Sequence, residues 1–208
     1  MDKIMFDDRF GLTRAVKDGL KTMTRRIIPA KDVEYILGEF KQEYFDATLD
    51  MLDDDRAYFE QYYLIEKCGR CFRPGQVVAV AQRYRDFNWP EPRRKDFQEI
   101  RRSAGWNNKM FVRSDLMPTR ILIEEVRFER LQEITDEDCI REGITTKTEG
   151  KYESGNGYGW DTYIDALKRN TFFTPRAAFS ALIDRMAGKG AWCSNPWVFV
   201  YGFKKIKL

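Results

Sequence analysis

"RPGQVVAVAQRY", residues 73–84, is the stretch that decides the fold. A Pro-Gly turn leads into β-branched and small residues with few charges, which predicts a strand. "TRILIEEVRFERL", residues 119–131, predicts a longer strand in which apolar and charged residues alternate. That alternation predicts one face toward the core and one toward water. "PWVFVYGFKKI", residues 196–206, predicts a final strand.

Helices are predicted on either side of these strands. They lie at residues 10–19, 134–144 and 174–190. Gly19 and Gly143 stand where a left-handed residue ends a helix, and Thr135 and Thr174 stand where a side chain caps one. Because the few strands do not alternate with helices, a doubly wound parallel sheet is disfavoured. We predict one α+β domain over residues 1–208, with helices flanking a small mixed β-barrel.

The composition excludes several classes of protein. The 208 residues include no histidine, so catalysis by Ser-His-Asp or Cys-His groups and histidine metal sites are excluded. No apolar run approaches the roughly 18 residues of a membrane helix, and the charged start "MDKIMFDDRF" does not resemble a signal peptide. The prediction is a cytoplasmic protein that does not bind a membrane.

The four cysteines do not form a convincing metal motif. Cys68 and Cys71 have the spacing of a zinc knuckle, but no second pair follows. A four-ligand site would need Cys139 and Cys193 to converge on them during folding. We therefore predict reduced thiols, with neither a metal nor a cofactor.

Charge is distributed unevenly along the chain. Residues 32–66 carry eleven acidic and two basic side chains at helical spacing, which predicts an acidic helical insertion that could dock a protein partner. Residues 83–113 carry nine basic and four acidic side chains, and a polyanion would favour this region. The predicted phosphate-binding strip comprises Lys21, Arg25, Arg26, Arg83, Arg85, Arg93 and Arg94. Tyr84, Trp89 and Trp106 could stack on unpaired bases, and Gln82 could read a base edge.

"GLKTMTRR", residues 19–26, concentrates polar and cationic side chains directly after a predicted helix. Cations at a helix C-terminus are favoured by the helix dipole, which explains the charge without a function but not the paired threonines. Together with "PGQVVAV" and "NPWVFVYGF", this stretch resembles the ASCH domains, whose fold is a PUA-like β-barrel. The family signature of Gly, Lys, a polar or acidic residue and Arg falls on Gly19, Lys21, Thr24 and Arg26. The resemblance covers most of residues 1–28 and 72–144 and the last strand.

The resemblance implies a cleft for RNA or a nucleoside. In one branch, the acetylcytidine amidohydrolases, the signature carries Lys-x-x-Thr, as Lys21 and Thr24 do here. A glutamate on a central strand completes the family's site. Ungapped alignment puts Leu122 at that position, and Glu124, two residues on, would substitute for it. Thr24 would act as nucleophile and Lys21 as base if the segment stays turn-like, with Thr22, Arg25 and Arg26 binding the ligand.

Three functions therefore remain open. The first is hydrolysis of an amide on a modified nucleoside such as acetylcytidine. The second is a module that binds single-stranded RNA without catalysis, and the third is an interaction protein that uses residues 32–66. In each of the first two, the aromatic segment 145–173, with Tyr152, Tyr158 and Trp160, would close over the ligand.

Overall fold

A five-stranded mixed sheet organises the chain in the computed structural model, which describes residues 1–35, 71–86, 94–146, 160–162 and 172–206. The strands are β1 (Lys3–Ile4), β2 (Met23–Ile27), β3 (Val77–Val80), β4 (Arg120–Arg130), β5 (Ile144–Thr146), β6 (Trp160–Thr162) and β7 (Trp197–Ile206). The helices are α1 (Leu12–Lys17), α2 (Arg94–Arg102), α3 (Asp136–Arg141) and α4 (Pro175–Ala187), and residues 30–35 are also helical.

The strand order of the large sheet is β1-β3-β4-β7-β2. β1 runs parallel to β3, and the other neighbours are antiparallel. β5 and β6 form a separate two-stranded sheet. The predicted α+β class and the three predicted strands are confirmed. Among the described residues the large sheet is open, with β1 and β2 at its edges.

The predicted helix ends are confirmed where the chain is described. Thr135 and Thr174 each accept a hydrogen bond from a backbone N–H in the first turn of the helix that follows. Gly19 and Gly143 have φ angles of 77° and 99°, which L-residues with a side chain rarely adopt. These turns matter because residues 20–27 and 142–146 then run directly into the sheets.

A β-bulge divides the long strand β4 into two halves. Ile123 pairs with Phe203, but Glu125 pairs with Gly202, so Glu124 is an extra residue in the ladder. Core-facing residues are therefore odd-numbered before the bulge and even-numbered after it: Ile121, Ile123, Val126 and Phe128. Glu125 and the charged residues at 127 and 129 share the opposite face, which the sequence predicted to be wet. That face is partly wet, because Glu125 and Arg127 are 39% and 34% exposed, although side chains of this face also form ion pairs with residues of β2 and α3.

Several sequence predictions concern residues outside the described ranges. Most of the acidic insertion at 32–66 and most of the segment 145–173 lie outside them. So do Trp89 and Arg93 of the predicted phosphate strip, and Tyr152 and Tyr158 of the segment predicted to close over the ligand. Of Trp160, the structure describes only the position in β6.

Candidate functional site

Lys21 lies at the centre of the candidate site, buried between the end of α1 and the turn after α3. Its side chain is 2% exposed. Nζ donates to the backbone oxygen of Glu142 at 2.7 Å and also to the Glu142 carboxylate. Gly143 packs closely here, because a Cβ at this position would lie 3.5 Å from the Lys21 Cβ. A buried lysine therefore faces a buried carboxylate that follows it by 121 residues in the sequence.

Burial lowers the pKa of Lys21 below the usual value of 10.5, because the charged ammonium loses its hydration. The Glu142 carboxylate acts in the opposite direction, while Arg26 and Arg25 lower the pKa further. A proton shared between the lysine and the glutamate is therefore easier to move than one on an exposed lysine.

Arg25 extends this ion pair into a larger network. Its guanidinium donates to Glu129 and Asp138, each at 2.7 Å, and to Glu142 at 3.4 Å. Burial acts to lower the pKa of Arg25, but these carboxylates outweigh it and hold that pKa above its usual value. The network comprises Lys21, Arg25, Arg127 and Arg141 with Glu125, Glu129, Asp138 and Glu142. Its charges balance, so Arg25 contributes to the fold and is not available to a ligand.

Arg26 differs from Arg25 because it lies on the other face of β2. Its guanidinium donates to the backbone oxygen of Met5 at 2.5 Å and lies 5.5 Å from the ring centre of Phe6. The Lys21 ammonium lies 5.9 Å from the same ring. Burial lowers the pKa of Arg26, with Glu142 opposing. No carboxylate of the described residues forms an ion pair with Arg26, which leaves this cation available to an anionic or oxyanionic group.

Thr24 shares the Arg26 face of β2 and pairs with Tyr201 of β7. It is 5% exposed, and its hydroxyl forms no hydrogen bond with the described residues. The turn-like segment that was the condition for Thr24 to reach Lys21 directly is not present, since Thr24 is part of a regular strand. Thr22 precedes that strand: its N–H donates to the Arg141 oxygen and its own oxygen accepts from Phe203, both at 2.8 Å.

Glu124 does not reach this site. It is the bulge residue of β4, its side chain is 44% exposed, and it forms an ion pair of 2.5 Å with Lys204. Leu122 pairs with Lys204 of β7 and with Val77 of β3. The structure therefore places Lys21 and Arg26 against the same Phe6 ring and Thr24 on the Arg26 face of β2, and it gives Lys21 the carboxylate of Glu142 in place of Glu124.

Two arginines of the predicted phosphate strip are engaged with other side chains. Arg83 pairs with Asp86 at 2.6 Å, and Arg85 donates to Asn107 at 2.9 Å. Tyr84 is 2% exposed and accepts from the backbone of Arg113, so it cannot stack on a base. Trp106 packs edge-on against Phe97. Gln82 is buried beside a cavity next to α1.

Glu142 and Asp138 are the residues that sequence reasoning missed. Both belong to the segment "ITDEDCIREGI", for which the sequence predicted a capped helix and no site residue. Hydrogen bonds from Arg127 and Arg25 hold the pKa of Asp138 below its usual value, although burial acts to raise it. The available signal was the cluster of cations at residues 21–26, because buried cations need carboxylate partners.

Metal chemistry finds no support among the described residues, where no three acidic, cysteine or histidine side chains are grouped to hold an ion. Burial raises the pKa of the Cys139 thiol to about 12, which keeps it protonated and unreactive. Cys193 carries a free thiol as well, and Cys68 lies outside the described ranges.

Comparison with known proteins does not assign this chain to a class, because no family model, no curated protein and no solved structure matches it. Within the described residues, no helix has both the length and the apolar character to span a membrane. Arguments about function therefore rest on the residues of the site.

Proposed function

We propose that this chain is an ASCH protein of PUA-like fold that hydrolyses an amide on a modified nucleoside, such as acetylcytidine. The observation that carries the proposal is the buried Lys21–Glu142 pair, with Arg26 against the same Phe6 ring as Lys21 and Thr24 on the same face of β2 as Arg26. Such a reaction uses three groups, a base, a nucleophile and a cation. Lys21 is the base, because burial lowers its pKa. Among the described residues, the Thr24 hydroxyl has no hydrogen-bond partner and Arg26 forms no ion pair with a carboxylate.

The reaction would proceed in two steps. Lys21, neutral when its proton resides on Glu142, takes the proton of the Thr24 hydroxyl while that oxygen bonds to the acetyl carbon. The exocyclic nitrogen leaves with this proton, giving cytidine and an acetyl-threonine ester. Water then hydrolyses the ester, which releases acetate and restores the hydroxyl. Arg26 stabilises the negative oxygen of both tetrahedral intermediates.

Hydrolysis of acetylcytidine, followed by chromatography, tests this proposal. Thr24→Val keeps the shape of the side chain and removes the nucleophile, so turnover should fall by about a hundredfold or more. Thr145→Val is the matched control, because Thr145 is a half-buried strand residue outside the site. Equal turnover in wild type and Thr24→Val would contradict the role of Thr24, and no turnover in folded wild type would contradict the hydrolase.

A binding module is the second candidate, and one observation favours it. Lys21 Nζ already donates to two oxygen atoms of Glu142, and such bonds favour the protonated lysine, which cannot act as a base. In this case Arg26 would bind a ligand without catalysis. Because Arg83 and Arg85 are engaged with other side chains, we expect the module to take a nucleoside in preference to a strand. The affinity for single-stranded RNA, measured by titration, should then fall only slightly as the salt concentration rises. A steep fall in affinity would instead support the phosphate strip.

A further inference from the structure

A polar cavity of about 390 Å³ lies beside α1, and none of the proposed catalytic residues lines it. Its lining combines five charged side chains with the polar side chains of Thr13 and Gln82. The volume lies within the roughly 300–1,000 Å³ of pockets that hold one small molecule. The cavity therefore suits a compact ligand that carries several polar groups.

Gln82 is the buried polar residue of this lining, with 3% of its surface exposed. Its amide nitrogen donates to the Thr119 hydroxyl at 3.2 Å, and the side chain forms no other hydrogen bond with the described residues. A glutamine amide has two N–H donors and one carbonyl oxygen, and buried polar groups are normally paired. One N–H and the carbonyl oxygen therefore remain for a ligand, in an amide plane that Thr119 fixes.

The three carboxylates that line the cavity each have a basic partner. The pairs are Asp8 with Lys109 at 2.9 Å, Asp86 with Arg83 at 2.6 Å and Asp18 with Arg14 at 3.3 Å. Because a nearby cation offsets each negative charge, these carboxylates do not select a cationic ligand. Their oxygens have further lone pairs, which can accept hydrogen bonds from hydroxyl groups.

Lys17 is the lining cation whose charge is not offset. It is half-buried in the last turn of α1, and its ammonium forms no ion pair with a carboxylate of the described residues. A ligand with a single negative charge would supply the missing partner, whereas a neutral ligand would not. An anion with several charges would in addition be repelled by the three carboxylates. The cavity therefore favours a monoanion.

We infer that this cavity binds a polyhydroxylated monocarboxylate, the chemical class of the sugar acids. The carboxylate of the ligand pairs with the Lys17 ammonium. The free N–H of Gln82 donates to a ligand oxygen, and its carbonyl oxygen accepts from a ligand hydroxyl, as do the carboxylates of Asp8 and Asp86. This inference goes beyond the proposed function, since it needs neither catalysis nor a ligand at Lys21.

Calorimetric titration of the whole chain with gluconate, sorbitol and hexanoate tests the inference. Sorbitol has the six-carbon hydroxylated chain of gluconate but a neutral alcohol in place of the carboxylate. Hexanoate has the carboxylate and the chain length but no hydroxyl group. We expect gluconate to bind about tenfold or more tightly than either, because sorbitol loses the ion pair and hexanoate loses the hydrogen bonds.

Two variants test the residues that carry the inference. Lys17→Met keeps the length of the side chain and removes its charge, so gluconate should bind about as weakly as sorbitol does. Gln82→Met removes the amide and should weaken gluconate binding by about tenfold. Lys189→Met and Gln98→Met make the same changes at exposed positions outside the cavity and should leave the affinity unchanged.

The remaining outcomes separate this inference from the proposed hydrolase. In wild type, equal affinity for gluconate and sorbitol, equal affinity for gluconate and hexanoate, or no gluconate binding at millimolar concentration overturns the inference and requires no variant. Affinity lost in Thr24→Val but retained in Lys17→Met overturns it too, and indicates binding at the Lys21 site. Gluconate binding that depends on Lys17 in a chain that does not hydrolyse acetylcytidine supports the inference and rejects the hydrolase.

Discussion

Glu142 and Glu124 show how two glutamates of one chain acquire opposite environments. Glu142 follows α3 directly and meets Lys21 and Arg25 in the interior. Glu124 is displaced by the bulge to an exposed position beside Lys204. A buried carboxylate that compensates two cations is costly to neutralise, whereas an exposed ion pair contributes little to stability.

The first prediction compares the same substitution at both positions. Glu142→Gln should lower the free energy of unfolding by on the order of 3 kcal/mol, because Lys21 and Arg25 lose a buried counter-charge. Glu124→Gln should change it by less than about 0.5 kcal/mol. Urea unfolding followed by circular dichroism measures both. A similar cost for the two variants would show that Glu142 does not compensate the buried cations.

The sequence indicates the cations of the site but not the carboxylates that pair with them. Lys21, Thr24 and Arg26 follow from a local pattern of eight residues, and the structure places Lys21 and Arg26 against the same Phe6 ring. Glu142 is 121 residues away from Lys21, and no local pattern reports such a contact. Glu124 pairs with Lys204 and not with Lys21, and no pattern in the sequence indicates this choice of partner.

The bulge in β4 also brings an ion pair close to one glycine of β7. Gly202 faces the bulge, and a Cβ there would lie 2.8 Å from the Glu125 carboxylate and 2.9 Å from the Arg141 guanidinium. The glycine therefore lets this ion pair lie directly on the strand. Alternating residues predict β4 from the sequence, but an extra residue in the ladder leaves no signal in "RILIEEVRF", where two glutamates fit either phase.

The second prediction concerns the short helical segment around residue 105, which packs against the sheet through Tyr84. A Cβ on Gly105 would lie 2.5 Å and 2.9 Å from atoms of the Tyr84 ring. The ring cannot move freely, because its hydroxyl accepts from the backbone of Arg113. Gly105→Ala should therefore lower the free energy of unfolding by about 1–3 kcal/mol.

A double-mutant cycle controls for other effects of that change. In a Tyr84→Leu background the clash is relieved, so Gly105→Ala should cost at least about 0.5 kcal/mol less than in wild type. Additive costs in thermal or urea unfolding would show that the two residues are not in contact.

Across the whole molecule, the ion-pair network joins β2, β4 and α3, and it should make stability depend on acid pH. The folded-state pKa of Asp138 lies below the usual value of 3.8. Its contribution is therefore complete above that value and is lost as the pH falls through the folded-state pKa. Asp138→Asn should destabilise the protein at pH 7, and the difference from wild type should shrink as the pH falls below about 4.

Asp136→Asn provides the matched control, since Asp136 is an exposed residue of the first turn of the same helix. Urea unfolding at several pH values measures all three proteins. The difference in the free energy of unfolding between wild type and Asp138→Asn could stay constant from pH 7 to pH 3, or Asp136→Asn could show the same difference. Either result would mean that the ion-pair network does not cause the pH dependence of stability.

The sequence predicts those features of the fold that depend on local and periodic patterns of residues. The α+β class, the main strands and the capped helices follow from local patterns of Pro, Gly, Thr and apolar residues. The order of the strands does not follow from local patterns. β2 pairs with β7 through residues that are distant in the sequence, such as Met23 and Gly202. The same contacts assemble the Lys21 site, so its complete membership required the structure.

The most direct test of the account is the rate of acetylcytidine hydrolysis by Glu142→Gln and Glu124→Gln beside wild type, measured by chromatography on protein that circular dichroism shows to be folded. We expect a loss of about a hundredfold or more in Glu142→Gln, because Lys21 loses the carboxylate that takes its proton, and an unchanged rate in Glu124→Gln. Loss in Glu124→Gln with an unchanged rate in Glu142→Gln would contradict it.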